Sequence, residues 1–336
     1  MIPIVDISSL FGPETEERRR ADAAVMQAAS GIGFMTVENF PAAALLSPEG
    51  RARLLQVFKL PDDEKAKMLR WNFDRSKANL YRGWFPLQTR VPSYKEGIDM
   101  GPDIAHGAGR TDAGDPLLEP TPLPAEELVP GWRAAIGEYY RAMEATGAAL
   151  MRSVARGLDL PENAFDAAFV DGISTLRLTR YPLRPAGDPA DPDFSVEHQG
   201  RRRGLIGGAH VDSGFVTLLA QDGVEGLQAQ SHSGEWIDVP PADATMAVNF
   251  GKLLDRWTGG KVRATLHRVI APDRERFSIP FFYEPRVDAE IAPLPLAGAE
   301  SFEPFLYGDY LWDAATKFVE QQGIRHMRQP RGAAAE

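Results

Sequence analysis

At 336 residues the chain is long enough for one elaborated β-barrel or for about two ordinary domains. Apolar residues make up 43% and charged residues 25%, which excludes global disorder, a collagen-like repeat and a coiled-coil rod. Lys and Arg total 37 against 47 Asp and Glu, and this formal charge of -10 argues against a general nucleic-acid or anionic-membrane surface. With no cysteine there is no disulfide, thiolate metal site or cysteine nucleophile, so any bound metal must use His, Asp or Glu.

In chain order, Ile2, Ile4 and Ile7 suggest a short opening strand. A helix follows over residues 14–30, where Ala21, Ala24, Val25 and Ala28 recur at helical spacing and Gly31 supplies a left-handed stop. Next come a strand over 33–40 and a helix over 51–69. The strongest helix covers 132–156, with Trp132, Ile136, Tyr139, Met143, Leu150 and Val154 on one face and Gly157 as its stop. The front half therefore reads as helix-rich.

From residue 174 the period changes. STLRLTRY, GFVTLLAQ, GLQAQ, EWIDV, TMAVNF, VRATLHRVI and RFSIPFFYE are short runs rich in β-formers, with turns at Asp222-Gly223 and Gly259-Gly260. Strands after helices point to an α+β chain with a jelly-roll or barrel core and helical support. Residues 112–130 and 186–193 read as loops within one unit, 310–319 as an apolar helix, and 329–336 as a frayed tail. Residues 1–10 carry neither a basic leader nor a long apolar run, and nothing approaches 18 uninterrupted apolar residues. A cytoplasmic location with no membrane span is expected.

The six histidines are His106, His198, His210, His232, His267 and His326. His210 and Asp212 form a His-Val-Asp triplet, and on a strand residues i and i+2 point the same way, so imidazole and carboxylate can share one ion. His267 lies in the later strand VRATLHRVI, which a barrel can bring beside the pair. Two imidazoles and one carboxylate on one face of a metal leave open positions opposite, the arrangement suited to non-haem Fe(II) oxygen chemistry. A His-x-Asp triplet alone is more often a surface pair. Arg276 and Ser278 raise the metal reading, because on one strand face they form a bidentate cation with a neighbouring hydroxyl, suited to the distal carboxylate of a dicarboxylate cosubstrate.

HVD at 210–212, LHRV at 266–269 and RFS at 276–278 resemble the Fe(II)- and 2-oxoglutarate-dependent dioxygenases related to isopenicillin N synthase. The similarity extends through IPIVDIS, GFMTVENF, LPDDEKAKM, YRGWFPL, YKEGIDMG, GLDLPENAF, LRLTRYP and DGVEGLQAQ, which fall in the family's order. The resemblance implies a double-stranded β-helix core with flanking and N-terminal helices. It also implies Fe(II) on His210, Asp212 and His267, and 2-oxoglutarate on Arg276 and Ser278 with Tyr181 nearby. Where the family commonly has Asn two residues before that tyrosine, this chain has Thr179, a shorter donor. The implied organisation is a support region at 1–170 contributing to the pocket, a catalytic core at 171–290 and a helical segment with tail at 291–336, all one structural unit.

The implied reaction consumes 2-oxoglutarate and dioxygen, releases succinate and CO2, and oxidises a small molecule, normally by hydroxylation. Substrate-facing candidates are Tyr81, Arg82, Trp84, Tyr94 and Lys95 with Phe250 and Phe282, which suit a small, partly apolar substrate and leave room for an anionic one. Each aromatic has core packing as its plainer explanation. The 184–203 stretch, with Arg201, Arg202 and Arg203, reads as a solvated basic loop, and His198 as a loop residue. Alternatives are an isopenicillin N synthase-like oxidase that needs no 2-oxoglutarate, an ethylene-forming type of enzyme, and a non-enzymatic barrel binding a small carboxylate. No nucleic-acid or membrane partner is expected, and the apolar 310–319 run leaves monomer and homodimer open.

Overall fold

The computed structural model describes residues 1–89, 93–112, 114–184, 192–299 and 301–332. Its strands are β1 (Ile4–Asp6), β2 (Phe34–Glu38), β3 (Gly83–Gln88), β4 (Lys95–Met100), β5 (Thr175–Tyr181), β6 (Ser195–His198), β7 (Arg201–His210), β8 (Val216–Gln221), β9 (Leu227–Gln230), β10 (Trp236–Asp238), β11 (Met246–Phe250), β12 (His267–Ile270), β13 (Arg276–Tyr283), β14 (Glu290–Ile291) and β15 (Phe305–Leu306). The helices are α1 (Glu16–Ser30), α2 (Pro48–Leu54), α3 (Asp62–Lys67), α4 (Asp103–His106), α5 (Trp132–Gly157), α6 (Asp166–Phe169), α7 (Lys252–Trp257) and α8 (Tyr307–Ala315).

Two sheets face each other as a double-stranded β-helix. The larger runs β1-β2-β11-β8-β13-β5-β4-β3 and the smaller β10-β9-β12-β7-β6. Alternating strands such as β13, with Arg276, Ser278 and Phe282 on one face and Phe277 and Phe281 on the other, present polar groups to the space between the sheets and apolar groups to the helices behind. There α5 covers the large sheet, with Tyr140 edge-on to Phe281 at a centroid separation of 4.9 Å. No helix among the described residues is long and apolar enough to cross a membrane.

Several expectations need correction. The front half, read as helix-rich, holds two further strands, because β3 and β4 extend the large sheet and β4 pairs with β5 from Glu96↔Arg180 to Met100↔Leu176. The helix expected over 51–69 breaks into α2, a 3-10 turn at Leu55–Lys59 and α3, since Pro61 lacks an N–H and disfavours a helical residue before it. Gly31 ends α1 at φ -80, and the left-handed residue is Gly33 at φ +67. An added Cβ on Gly33 would lie 2.3 Å from the Arg263 carbonyl oxygen, so glycine is required where the chain enters β2. Gly157 is the last residue of α5, where the helix was expected to stop, and its missing side chain admits Met26 of α1.

The basic stretch before the His-Val-Asp triplet is a hairpin of β6 and β7, turned by Gln199 and Gly200 at φ +51 and +72. Arg203 pairs with Asp273 at 2.7 Å, and His198 lies 3.0 Å from Asp238. Within the expected 186–193 loop, residues 186–191 lie outside the described residues. The tail is held further than expected: Asp309 accepts hydrogen bonds from the Arg331 and Gly332 amides, while 333–336 fall outside the described residues. Helix α8 packs on its own barrel through buried Tyr307, Leu311 and Trp312.

Candidate active site

The two histidines of the expected ligand set meet because β7 and β12 pair antiparallel with His267 directly opposite His210. Their rings are 4.3 Å apart by centroid. Two residues on, where β7 has ended, the Asp212 Oδ1 atom lies 3.6 Å from Nε2 of each histidine. One donor atom from each of the three side chains lies within 4.8 Å of the others. Metal–ligand bonds of about 2.0–2.2 Å make adjacent donors roughly 3 Å apart, so the cluster is close to a facial ligand set before any ion draws it in.

Each of the three side chains is oriented from behind. His210 Nδ1 faces the Gly208 carbonyl at 2.8 Å and His267 Nδ1 the Thr265 carbonyl at 3.1 Å, which turns both Nε2 atoms toward Asp212. Asp212 Oδ2 accepts from Thr217 Oγ1 at 2.6 Å and Asn249 Nδ2 at 2.8 Å, leaving Oδ1 to the cluster. Loss of water and the adjacent His267 lower His210 to about 4. Although burial opposes it, Asp212 is held below the ordinary carboxylate range by the two imidazoles and by its hydrogen bonds from Asn249 and Thr217. A neutral imidazole and an ionised carboxylate are the forms a divalent metal binds.

The inner face of the large sheet is laid out in rows. Thr175, Phe282, Thr217 and Asn249 are cross-strand neighbours on β5, β13, β8 and β11, and this row braces Asp212. Two rows deeper, Thr179, Ser278 and Gln221 are neighbours, and beyond them Arg276 lies opposite Tyr181. Arg276 is fully buried. Its Nη2 is 3.5 Å from Gln221 Oε1 and its guanidinium 5.1 Å from the Tyr181 ring, yet Nε and Nη1 have no hydrogen-bond partner. Asp222 is near enough to be lowered by the charge of Arg276 but makes no ion pair with it among the described residues, and a buried cation so incompletely paired is costly. The guanidinium thus keeps donors that suit the carboxylate of a small dicarboxylate.

A cavity of about 340 Å³ opens on the other side of the cluster, lined by His210 and Asp212 together with Tyr81, Lys95 and Phe282. Those last three expectations coincide with the cavity wall, and four do not. Arg82 is buried behind the wall, donating to Met100 O, Ile173 O and Thr175 Oγ1. Trp84 packs on Phe58, Tyr94 lies in the cluster containing Tyr181, and Phe250 is a fully buried core residue. All four are more useful to packing than to contact. Lys95 is itself engaged, 2.8 Å from Glu320, so the free basic group expected for an anionic substrate is absent from that position.

Sequence reasoning missed Thr217 and Asn249, although Asn249 interrupts an apolar strand and is the polar residue that TMAVNF must satisfy. It also missed Glu284 and the far wall, where Leu311, Ala315, Phe318 and Val319 come from the C-terminal segment. Glu119 was overlooked too; it accepts the Leu80 and Tyr81 amides at 2.9 and 2.6 Å and holds Tyr81 at the wall.

Two family models match the chain: one described as 2OG-Fe(II) oxygenase superfamily over residues 175–285, the other as non-haem dioxygenase in morphine synthesis N-terminal over residues 2–126. The 2-oxoglutarate-dependent dioxygenase citB of Monascus ruber is 31% identical over 88% of this chain and 88% of its own. Isopenicillin N synthase of Streptomyces clavuligerus is 28% identical over 96% and 97%. Among solved structures, a full-length Neurospora crassa protein in complex with alpha-KG and thymine superposes with a TM-score of 0.76 at 26% identity, covering 94% of this chain and 97% of that one.

Proposed function

The chain belongs to the 2OG-Fe(II) oxygenase superfamily, and from that membership we propose that His210, Asp212 and His267 hold its iron while Arg276 and Ser278, with Tyr181 and Thr179, receive 2-oxoglutarate. It is an Fe(II)- and 2-oxoglutarate-dependent dioxygenase. When bound, the metal and cosubstrate would supply the oxidising chemistry, in which dioxygen is split between succinate, formed with CO2 from 2-oxoglutarate, and the oxidation of a substrate C–H bond.

The protein's own part is positioning. The Gly208 and Thr265 carbonyls fix the histidine tautomers, and Thr217 with Asn249 fixes the carboxylate. The unpaired Arg276 guanidinium is the single observation that carries the cosubstrate assignment: a bidentate carboxylate satisfies it, and Ser278 stands two residues along the same face. The substrate is a small molecule held against the open side of the metal by Tyr81, Phe282 and the C-terminal segment, and its hydroxylation is the expected outcome. The oxidase that dispenses with 2-oxoglutarate is not favoured, because solved relatives bind alpha-KG. Because α8 buries its apolar face on its own barrel, that helix gives no reason for a dimer.

Measured succinate release tests the reading. It should require Fe(II) and vanish in Asp212→Ala, whereas release that persists without metal or survives the substitution contradicts it.

A further inference from the structure

The charges around the cavity are nearly all matched. Lys95 of β4 lies 2.8 Å from Glu320, Arg177 of β5 lies 2.5 Å from Asp99, and Arg70 closes on the same Asp99 from behind. Asp212 belongs to the metal cluster. Among the described residues of the wall, Glu284 is the carboxyl group with neither a cation at ion-pair distance nor a place in that cluster. It is 5% exposed, and its Oε2 has Thr175 Oγ1 at 3.5 Å, while Thr175 itself accepts from Arg82 at 2.6 Å. Arg82 also donates through Nη1 and Nη2 to the Met100 and Ile173 carbonyls, and its buried Nε has no hydrogen-bond partner. The carboxyl lines the same cavity as His210 and Asp212; a Cβ placed on Gly214, two residues past Asp212, would lie 3.7 Å from Glu284 Oε1 and equally 3.7 Å from the Tyr307 hydroxyl.

A carboxyl group buried without a paired cation favours its neutral form. Burial is the larger influence here and lifts Glu284 to about 7, against the opposing influence of Arg82, Tyr307 and Thr175, with Asp99 pushing the same way as burial. In that form it offers an O–H donor and a C=O acceptor side by side, whereas a carboxylate offers acceptors alone. The matching edge on a ligand is an N–H beside a C=O held cis. Phe282, Leu311, Phe318 and Val319 supply apolar walls for the rest of such a ring.

Resting on the assignment of this cavity as the substrate site, we propose that Glu284 is a specificity-determining residue that selects substrates with a cis-amide edge, as in a lactam or cyclic imide, through a pair of hydrogen bonds. No proton is transferred. The cyclic pair orients the ring so that the carbons beyond the amide point toward the open face of the metal.

The test is calorimetry at pH 6 on the full chain loaded with Mn(II), a redox-silent substitute, and 2-oxoglutarate. The probes are 2-piperidone, N-methyl-2-piperidone, benzamidine and cyclohexanecarboxylate. Wild type should bind 2-piperidone roughly ten- to a hundredfold more tightly than its N-methyl analogue. Glu284→Gln, whose carboxamide also presents a donor and an acceptor, should keep that ratio, and Glu284→Leu should bring it to about one. 2-Oxoglutarate affinity should be unchanged in both variants, which shows that they are folded. Equal binding of the two piperidones by wild type, no binding of either, preference for benzamidine or cyclohexanecarboxylate, or a ratio that survives Glu284→Leu each overturns the proposal while 2-oxoglutarate still binds. Failure of wild type to bind 2-oxoglutarate refutes the cosubstrate reading, and this proposal with it.

Discussion

Asp212 has its two oxygens divided between tasks, one toward the imidazoles and one accepting from Thr217 and Asn249. Removing those donors by Thr217→Val or Asn249→Leu frees the carboxylate to rotate, and metal titration should show affinity lowered roughly 10–100-fold with the fold intact. Arg276 makes a contrasting case. Its charge is a liability until an anion arrives, so Arg276→Met should abolish 2-oxoglutarate binding while stabilising the ligand-free protein by about 1 kcal/mol or more, read by denaturant unfolding. An unchanged or lower unfolding midpoint would show that the guanidinium is compensated in solution. The grouping of His210, Asp212 and His267 was legible because the chain has only six histidines and these lie on β-patterned sequence, whereas Arg276 was picked out by its spacing from Ser278 on one strand face. Thr217 and Glu284 were not, since a Thr in a strand or a Glu before a Pro has no meaning until the register sets it facing a cavity.

At the scale of elements, cross-strand register does most of the positioning: β7 with β12 brings the histidines together, and β13 with β5 and β8 stacks the polar rows. Helix α5 keeps the large sheet in place, and Gly147 lets it lie on Tyr283, whose ring would be 2.5 Å from an added Cβ. The same ring stacks on Phe169 at 4.5 Å, so it has little room to retreat. Gly147→Val should cost about 1–3 kcal/mol of stability, and an unchanged unfolding midpoint would mean that α5 slides. Periodicity made α5 and most of the later strands readable. It failed at β3 and β4, where YRGWFPL and YKEGIDMG contain Gly, Pro and charge, because these strands are fixed by pairing with β5 rather than by their own alternation. It also failed in the C-terminal segment, whose apolar face reads equally as a dimer surface or a cavity wall.

For the molecule as a whole, the buried ion pairs tie the N-terminal strands to the C-terminal segment. Glu320, against Lys95 of β4, is lowered to about 2 from an ordinary 4.5, with its neighbouring cations overcoming burial, and Asp99 is held lower still by Arg177 and Arg70. Both folded values lie below the unfolded ones. Their contribution is therefore complete above pH 4.5 and is lost as pH falls toward 2. Glu284 runs the other way: its folded value lies above the unfolded one, so its contribution is complete below 4.5 and is lost as pH rises through about 7. Unfolding curves should show wild type losing stability between pH 4.5 and 2, with Glu320→Gln flattening that limb, and Glu284→Gln flattening the loss between 4.5 and 7. Parallel curves for wild type and variants would contradict these assignments.

The most direct measurement is calorimetric titration of 2-oxoglutarate into anaerobic protein with and without Mn(II), for wild type, Asp212→Ala and Arg276→Met. The account predicts one cosubstrate per chain, strengthened by the metal in wild type, loss of that metal dependence in Asp212→Ala, and loss of cosubstrate but not metal in Arg276→Met. Cosubstrate binding that ignores the metal in wild type, or that is undiminished in Arg276→Met, would contradict it.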